Sequence, residues 1–128
     1  MVRIICFYIC LMLLFSSCQE SREDKISKYL QSKNLEGSMG IGILNPDHCG
    51  SCTDYSIDWL CKNKLVNAKD VILTTGELKI EHKNRLSANG YTFIPADKDK
   101  LTRAGITLTV CTYIEMKNNE IISIKTVK

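Results

Sequence analysis

The stretch from Gly40 to Lys64, GIGILNPDHCGSCTDYSIDWLCKNK, limits the folds open to this chain more than any other part of it. It starts as a short apolar run, Ile41-Gly42-Ile43-Leu44, and breaks at Asn45-Pro46-Asp47. It then sets Cys49 and Cys52 with two residues between them and continues with apolar residues at helical spacing. The pattern predicts a buried strand, a turn, and a helix that opens on the two cysteines. A thiol at the first turn of a helix faces unsatisfied backbone N–H groups and the positive end of the macrodipole, so its thiolate is stabilised and its pKa falls. Cys49 is read as the attacking sulfur. Cys52, one turn further in and expected to be less exposed, resolves the mixed disulfide.

At the N-terminus Arg3 precedes an apolar run from Ile4 to Phe15. The run is too short to span a bilayer, which needs about 20 residues, and reads as the apolar part of an export signal. It stops at Phe15-Ser16-Ser17-Cys18, with polar residues from Gln19 onward. This resembles the lipobox of bacterial lipoprotein signal peptides. The resemblance implies cleavage before Cys18, diacylation of Cys18, and a protein held at a membrane of the bacterial cell envelope, periplasmic or surface-facing. An ordinary signal peptide and an uncleaved anchor are the alternatives, and each places the remainder outside the cytoplasm. The organisation expected is a signal peptide over 1–17, a lipidated cysteine with tether and short helix over 18–38, and one folded domain over 39–128.

Of the seven cysteines, Cys6 and Cys10 lie in the signal and Cys18 would carry lipid, which leaves Cys49, Cys52, Cys61 and Cys111 for the domain. An exported compartment permits disulfides, and four cysteines allow three pairings that spacing does not decide. A Cys49–Cys52 bond closes too small a loop to restrict the unfolded chain much, so chemistry explains the pair better than stability does. The formal charge of +3 is spread among interleaved acids and bases. No basic block of the kind nucleic-acid binding needs is present, and no nucleic-acid partner is expected.

The rest of the chain alternates. Asp24 to Leu35 suggests a peripheral helix with a thin apolar stripe, and Met39 to Leu44 a central strand. The next helix presents Cys52, Tyr55, Trp59 and Leu60, with Tyr55 and Trp59 assigned to the core and Cys61 read as a small buried residue. Asp70 to Thr75 is a second strand, Glu77 to Ala88 a helix ending at Asn89-Gly90, and Tyr91 to Ile94 a short strand. His82 is expected to be exposed and without a role. Ile106 to Met116 and Ile121 to Val127 form a hairpin about Lys117-Asn118-Asn119-Glu120, with Ile122, Ile124 and Thr126 on one face. The sheet is therefore mixed, parallel then antiparallel, with helices packed on it.

That order, with C-x-x-C opening the first core helix, resembles the thioredoxin fold, and within it the membrane-tethered thiol-disulfide oxidoreductases called TlpA-like. The resemblance runs from Met39 to Lys125 and implies an α/β thioredoxin-like domain that here lacks the C-terminal helix, with the Asp24–Leu35 helix standing in. It implies protein thiols or disulfides as partners, Cys49 and Cys52 as the redox pair, and no organic cofactor. Aligned so, Cys111 falls at the family's cis-proline and Thr112 follows it, which assigns this pair to substrate binding. A non-proline cis bond costs about 3 kcal/mol, so a trans peptide is expected. His48 stands where a tryptophan usually precedes the first cysteine, and its imidazole is read either as a third catalytic group that lowers the Cys49 pKa or as an exposed turn residue. Ile43 replaces the buried acid many thioredoxins keep beneath the second cysteine. Two other functions compete with exchange: a metal site from Cys49, Cys52, Cys111 and His48, and a thioredoxin-like lipoprotein that binds a partner without redox catalysis. No metal ligand is assigned on the leading reading.

Overall fold

The computed structural model describes residues 2–16, 20–47, 50–64 and 69–127. In chain order the elements are α1 (Val2–Ser16), α2 (Arg22–Ser32), β1 (Met39–Leu44), α3 (Gly50–Lys62), β2 (Lys69–Thr74), α4 (Ile80–Ala88), β3 (Tyr91–Pro95), α5 (Lys98–Arg103), β4 (Cys111–Lys117) and β5 (Glu120–Val127). Among the described residues no helix is long and apolar enough to cross a membrane. Along α1, Val2, Phe7 and Tyr8 are exposed.

The strands form one five-stranded sheet in the order β3-β2-β1-β4-β5. β1 pairs in parallel with β2, and β2 in parallel with β3. On its other side β1 pairs antiparallel with β4, which returns through a hairpin to β5. This is a thioredoxin-like topology: a mixed sheet, parallel then antiparallel, flanked by helices, whose last described element is a strand. β1 is central and every residue of it is buried, which is why its sequence is nearly continuous in apolar character. Side chains alternate across the sheet. Met39, Ile41 and Ile43 join Val71, Leu73, Ile114 and Met116 in one core cluster, completed by Ile26, Tyr29 and Leu30 of α2 and Leu101 of α5. The opposite face, with Leu44, Ile72, Cys111 and Tyr113, is covered by Ile57 and Leu60 of α3 and Leu86 of α4.

Several local choices explain these elements. Ser21 caps α2, its hydroxyl accepting from the Asp24 N–H at 3.2 Å, and Asp97 caps α5 by accepting from the amides of Asp99 and Lys100; each satisfies donors a helix start leaves open. The hairpin turn uses Asn118 and Asn119, both left-handed at φ 52° and 68°, as a two-residue turn that matches strand twist requires. Gly42 has a packing reason: a Cβ there would sit 2.9 Å from a Leu60 methyl and 2.8 Å from the Ile72 terminus. Its absence lets α3 lie close on the strand that leads into it.

Four expectations change. α2 is not peripheral, since Ile26 and Leu30 are fully buried; three residues on one stripe suffice to cover a sheet face. β4 begins at Cys111 rather than Ile106, and Ile106 is buried as part of a loop that follows the left-handed Gly105. On β5 the register slips between Glu115, opposite Ser123, and Met116, opposite Ile121. Ile122 is left as a bulge and is 58% exposed, while Ile121 and Ile124 pack on the core. Tyr55 is 51% exposed rather than core. The stripe α3 buries is Thr53, Ser56, Ile57 and Leu60, which turns Tyr55 outward and leaves Trp59 half-buried, edge-on to Tyr113 with ring centroids 5.2 Å apart.

Candidate active site

The turn between β1 and α3 is held from three sides. Thr75 donates its backbone N–H to the Leu44 carbonyl at 3.1 Å and its hydroxyl to Asn45 Oδ1 at 3.1 Å. The Asn45 amide donates to the Leu108 carbonyl at 3.3 Å. Lys98 of α5 pairs with Asp47 at 3.0 Å. The end of β1 is thereby aimed at the start of α3, which begins at Gly50.

Cys52 is the third residue of α3 and lies in its first turn, where backbone amides are unpaired within the helix. Its side chain is exposed where a shielded sulfur was expected, because the buried stripe of α3 starts one residue later at Thr53. Cys52 is disulfide-bonded, whereas Cys6, Cys10, Cys61 and Cys111 are free thiols. His48, Cys49 and Cys18 lie outside the described residues.

Cys111 comes in beneath this turn at the start of β4. Its thiol is 5% exposed and within hydrogen-bonding reach of the Ser56 hydroxyl and the Ile43 backbone amide. Burial pushes its pKa up to about 12, against the smaller opposing pull of those two donors. With the thiol neutral, the single Ser56 proton is given to the Cys52 carbonyl at 2.8 Å, and it is available to Cys111 only when that sulfur ionises, so one hydroxyl joins the turn carrying Cys52 to the buried thiol. Among the described residues no peptide bond is cis, and Val110–Cys111 is trans as expected. Thr112 alternates to the opposite face, beside the α2 core, and is 2% exposed.

Three features escaped the sequence. Ser56 stands four residues after Cys52, a spacing that could have flagged it, but its role needed Cys111 to be placed beside it. His82, expected to be exposed, is part-buried and bonded through Nε2 to Asp54 of α3 at 2.5 Å. Beside it Arg85 pairs with Asp58, so a hydrogen bond and an ion pair tie α4 to the helix of Cys52. Cys61 is half-buried, with the Asn89 amide donating to its sulfur at 3.4 Å, and burial raises its pKa. The third feature is a polar cluster at the other end of the sheet, four residues up β1 and so about 13 Å from the β1–α3 turn. Asp70 accepts from the Gly40 N–H at 3.1 Å. Asp70 Oδ2 and Tyr113 Oη are buried without a hydrogen-bond partner among the described residues. Burial raises the Asp70 pKa, against the Gly40 bond and the charge of Lys64.

No protein-family model matches the chain, and no curated protein sequence matches it. Among the described residues no three His, Cys, Asp or Glu side chains gather as a metal site. The fold is consistent with a thioredoxin-like protein, a scaffold capable of disulfide chemistry in general.

Proposed function

We propose that this protein is an exported, lipid-anchored thiol-disulfide oxidoreductase that exchanges disulfides through Cys49-Gly50-Ser51-Cys52. The observation that carries the reading is Cys52 itself: exposed, oxidised, and in the first turn of the helix that follows the central strand. We take Cys49 as its disulfide partner and as the nucleophile. In the reducing direction the Cys49 thiolate attacks one sulfur of a substrate disulfide. The substrate S–S bond breaks, one substrate thiolate leaves and takes a proton, and a mixed disulfide remains. Cys52, deprotonated to the solvent that reaches it, then attacks the Cys49 sulfur. The second substrate thiol departs and Cys49–Cys52 is left oxidised, two electrons having passed to the substrate. An incoming dithiol reverses the sequence. Solvent access to Cys52 removes the need for a buried acid at Ile43. His48, beside Cys49 in the chain, is assigned to hold the thiolate.

Equilibration against glutathione with thiol counting tests this. A reversible Cys49–Cys52 couple is expected; a potential near −270 mV or below marks a reductant and one near −120 mV an oxidant. No reversible couple, or Cys49→Ser without consequence in the cell, would favour the non-catalytic reading in which the protein binds a metal or a partner. Export and anchoring are read from residues 1–24. Incorporation of labelled fatty acid that Cys18→Ala abolishes is the expected result, and retention of label in that variant counts against it.

A further inference from the structure

The cavity at the carboxyl ends of β2 and β3, about 420 Å³, has no part in the steps above. Its lining is mostly apolar, with Leu78, Phe93, Pro95 and Ala96 contributing. The hydroxyls on its walls are already engaged: Thr74 donates to the Gly76 carbonyl at 2.6 Å and Thr75 to Asn45. Lys83 lies over the Phe93 ring, 6.0 Å from its centroid, at a rim that also carries Glu77. A small polar ligand is oriented by convergent free polar groups, and the residues here offer contact area instead.

The cavity adjoins the turn before the cysteines. Its wall at Gly76 approaches Pro46 and Asp47 so closely that a Cβ there would meet them at 3.2 and 3.4 Å. Two peptide links separate Asp47 from Cys49, at most about 8 Å. Adding the width of the cavity, a strand at about 3.3 Å per residue covers the span in about two to four residues. We infer that the cavity receives an apolar side chain of a polypeptide substrate, two to four residues along from the cysteine being exchanged. This inference rests on the oxidoreductase reading and names how that site would select among proteins.

Peptides in which serine replaces the cysteine separate docking from chemistry. Three are needed, with leucine, glycine or lysine three residues from the serine, titrated into the full-length chain and followed by fluorescence anisotropy. Burial of a leucine side chain predicts binding about tenfold to a hundredfold tighter than for the glycine peptide. Ala96→Trp, which fills the cavity, is expected to erase that preference. Backbone amide shifts in the wild-type chain should map to Thr75, Gly76, Phe93 and Ala96, a readout that stands even if the variant folds poorly. Equal binding of the leucine and glycine peptides, or shifts centred on Cys111 and β4, would overturn the inference. Exchange of bis(2-hydroxyethyl) disulfide by the wild-type chain reports on the chemistry alone. Its absence sinks the oxidoreductase reading, whatever the peptides do.

Discussion

The buried thiol of Cys111 should be nearly inert in the folded protein, and the extent can be worked from its surroundings. With the pKa held up near 12, about one molecule in ten thousand is thiolate at pH 8, against about a quarter for a free cysteine of pKa 8.5. That ratio is about 2,500. A more basic thiolate is also a better nucleophile, and a Brønsted slope of 0.4–0.5 over the difference returns about 25- to 60-fold. Ionisation alone therefore slows attack on a small disulfide by about 40- to 100-fold, and the 5% exposure of Cys111 slows it further. The assay treats the protein with 4,4′-dithiodipyridine, quenches in acid, and follows the Cys111 peptide by mass spectrometry, with the chain in guanidinium as reference. The sign of the pH dependence is fixed: the thiolate fraction rises tenfold per pH unit, so the rate should climb from pH 7 to 10 without levelling. A rate within tenfold of the denatured chain, or a plateau near pH 8.5, would refute the placement of this thiol against Ser56 and Ile43.

Three further outcomes follow from the packing. Burial raises the folded-state pKa of Asp70, so the stability its protonated form contributes is full below the unfolded value of about 3.9 and is lost as pH rises. Asp70→Asn keeps an acceptor for the Gly40 N–H and removes a buried charge, and should raise unfolding free energy by about 1–3 kcal/mol at pH 7. Urea titrations at pH 7 and pH 3.5 check this, the gain shrinking at the lower pH. Gly40→Ala would drive a methyl into the Tyr113 hydroxyl, 2.8 Å from its Cζ, costing about 1–3 kcal/mol; because Tyr113 packs edge-on against the single tryptophan, Trp59, the emission of the folded protein should shift as well. Ser56→Ala removes the donor to the Cys52 carbonyl and should lower stability by about 0.5–1.5 kcal/mol in chemical denaturation. It should also leave Cys111 still less reactive, having lost a donor to its thiolate.

Much of the architecture could be read from the residues alone. The apolar run before Cys49, the helix after it and the Asn118-Asn119 turn carry strong local signals, and they led to a mixed sheet, parallel then antiparallel, which the structure bears out. The phase of α3 was harder. Thr53 and Ser56 are buried and Tyr55 is not, which inverts the usual reading of polarity; Ser56 satisfies its hydroxyl on the carbonyl four residues back and so behaves as a small core residue. The His82–Asp54 bond and the Ser56–Cys111 contact join residues 28 and 55 positions apart, and no local pattern announces such pairs. The bulge at Ile122 escaped for a related reason: strict alternation was assumed over a strand whose partner shifts register midway.

That bulge has a consequence for how copies of the protein meet one another. β3 and β5 are the two edges of the sheet, and an open edge invites a strand from a neighbour. At β5 the ladder is interrupted at Ile122, so an incoming strand would find its pairing broken midway and its twist mismatched. At β3 the last residue, Pro95, has no N–H to offer. Crowded side by side, molecules of this kind have little means of knitting their sheets into a continuous ribbon.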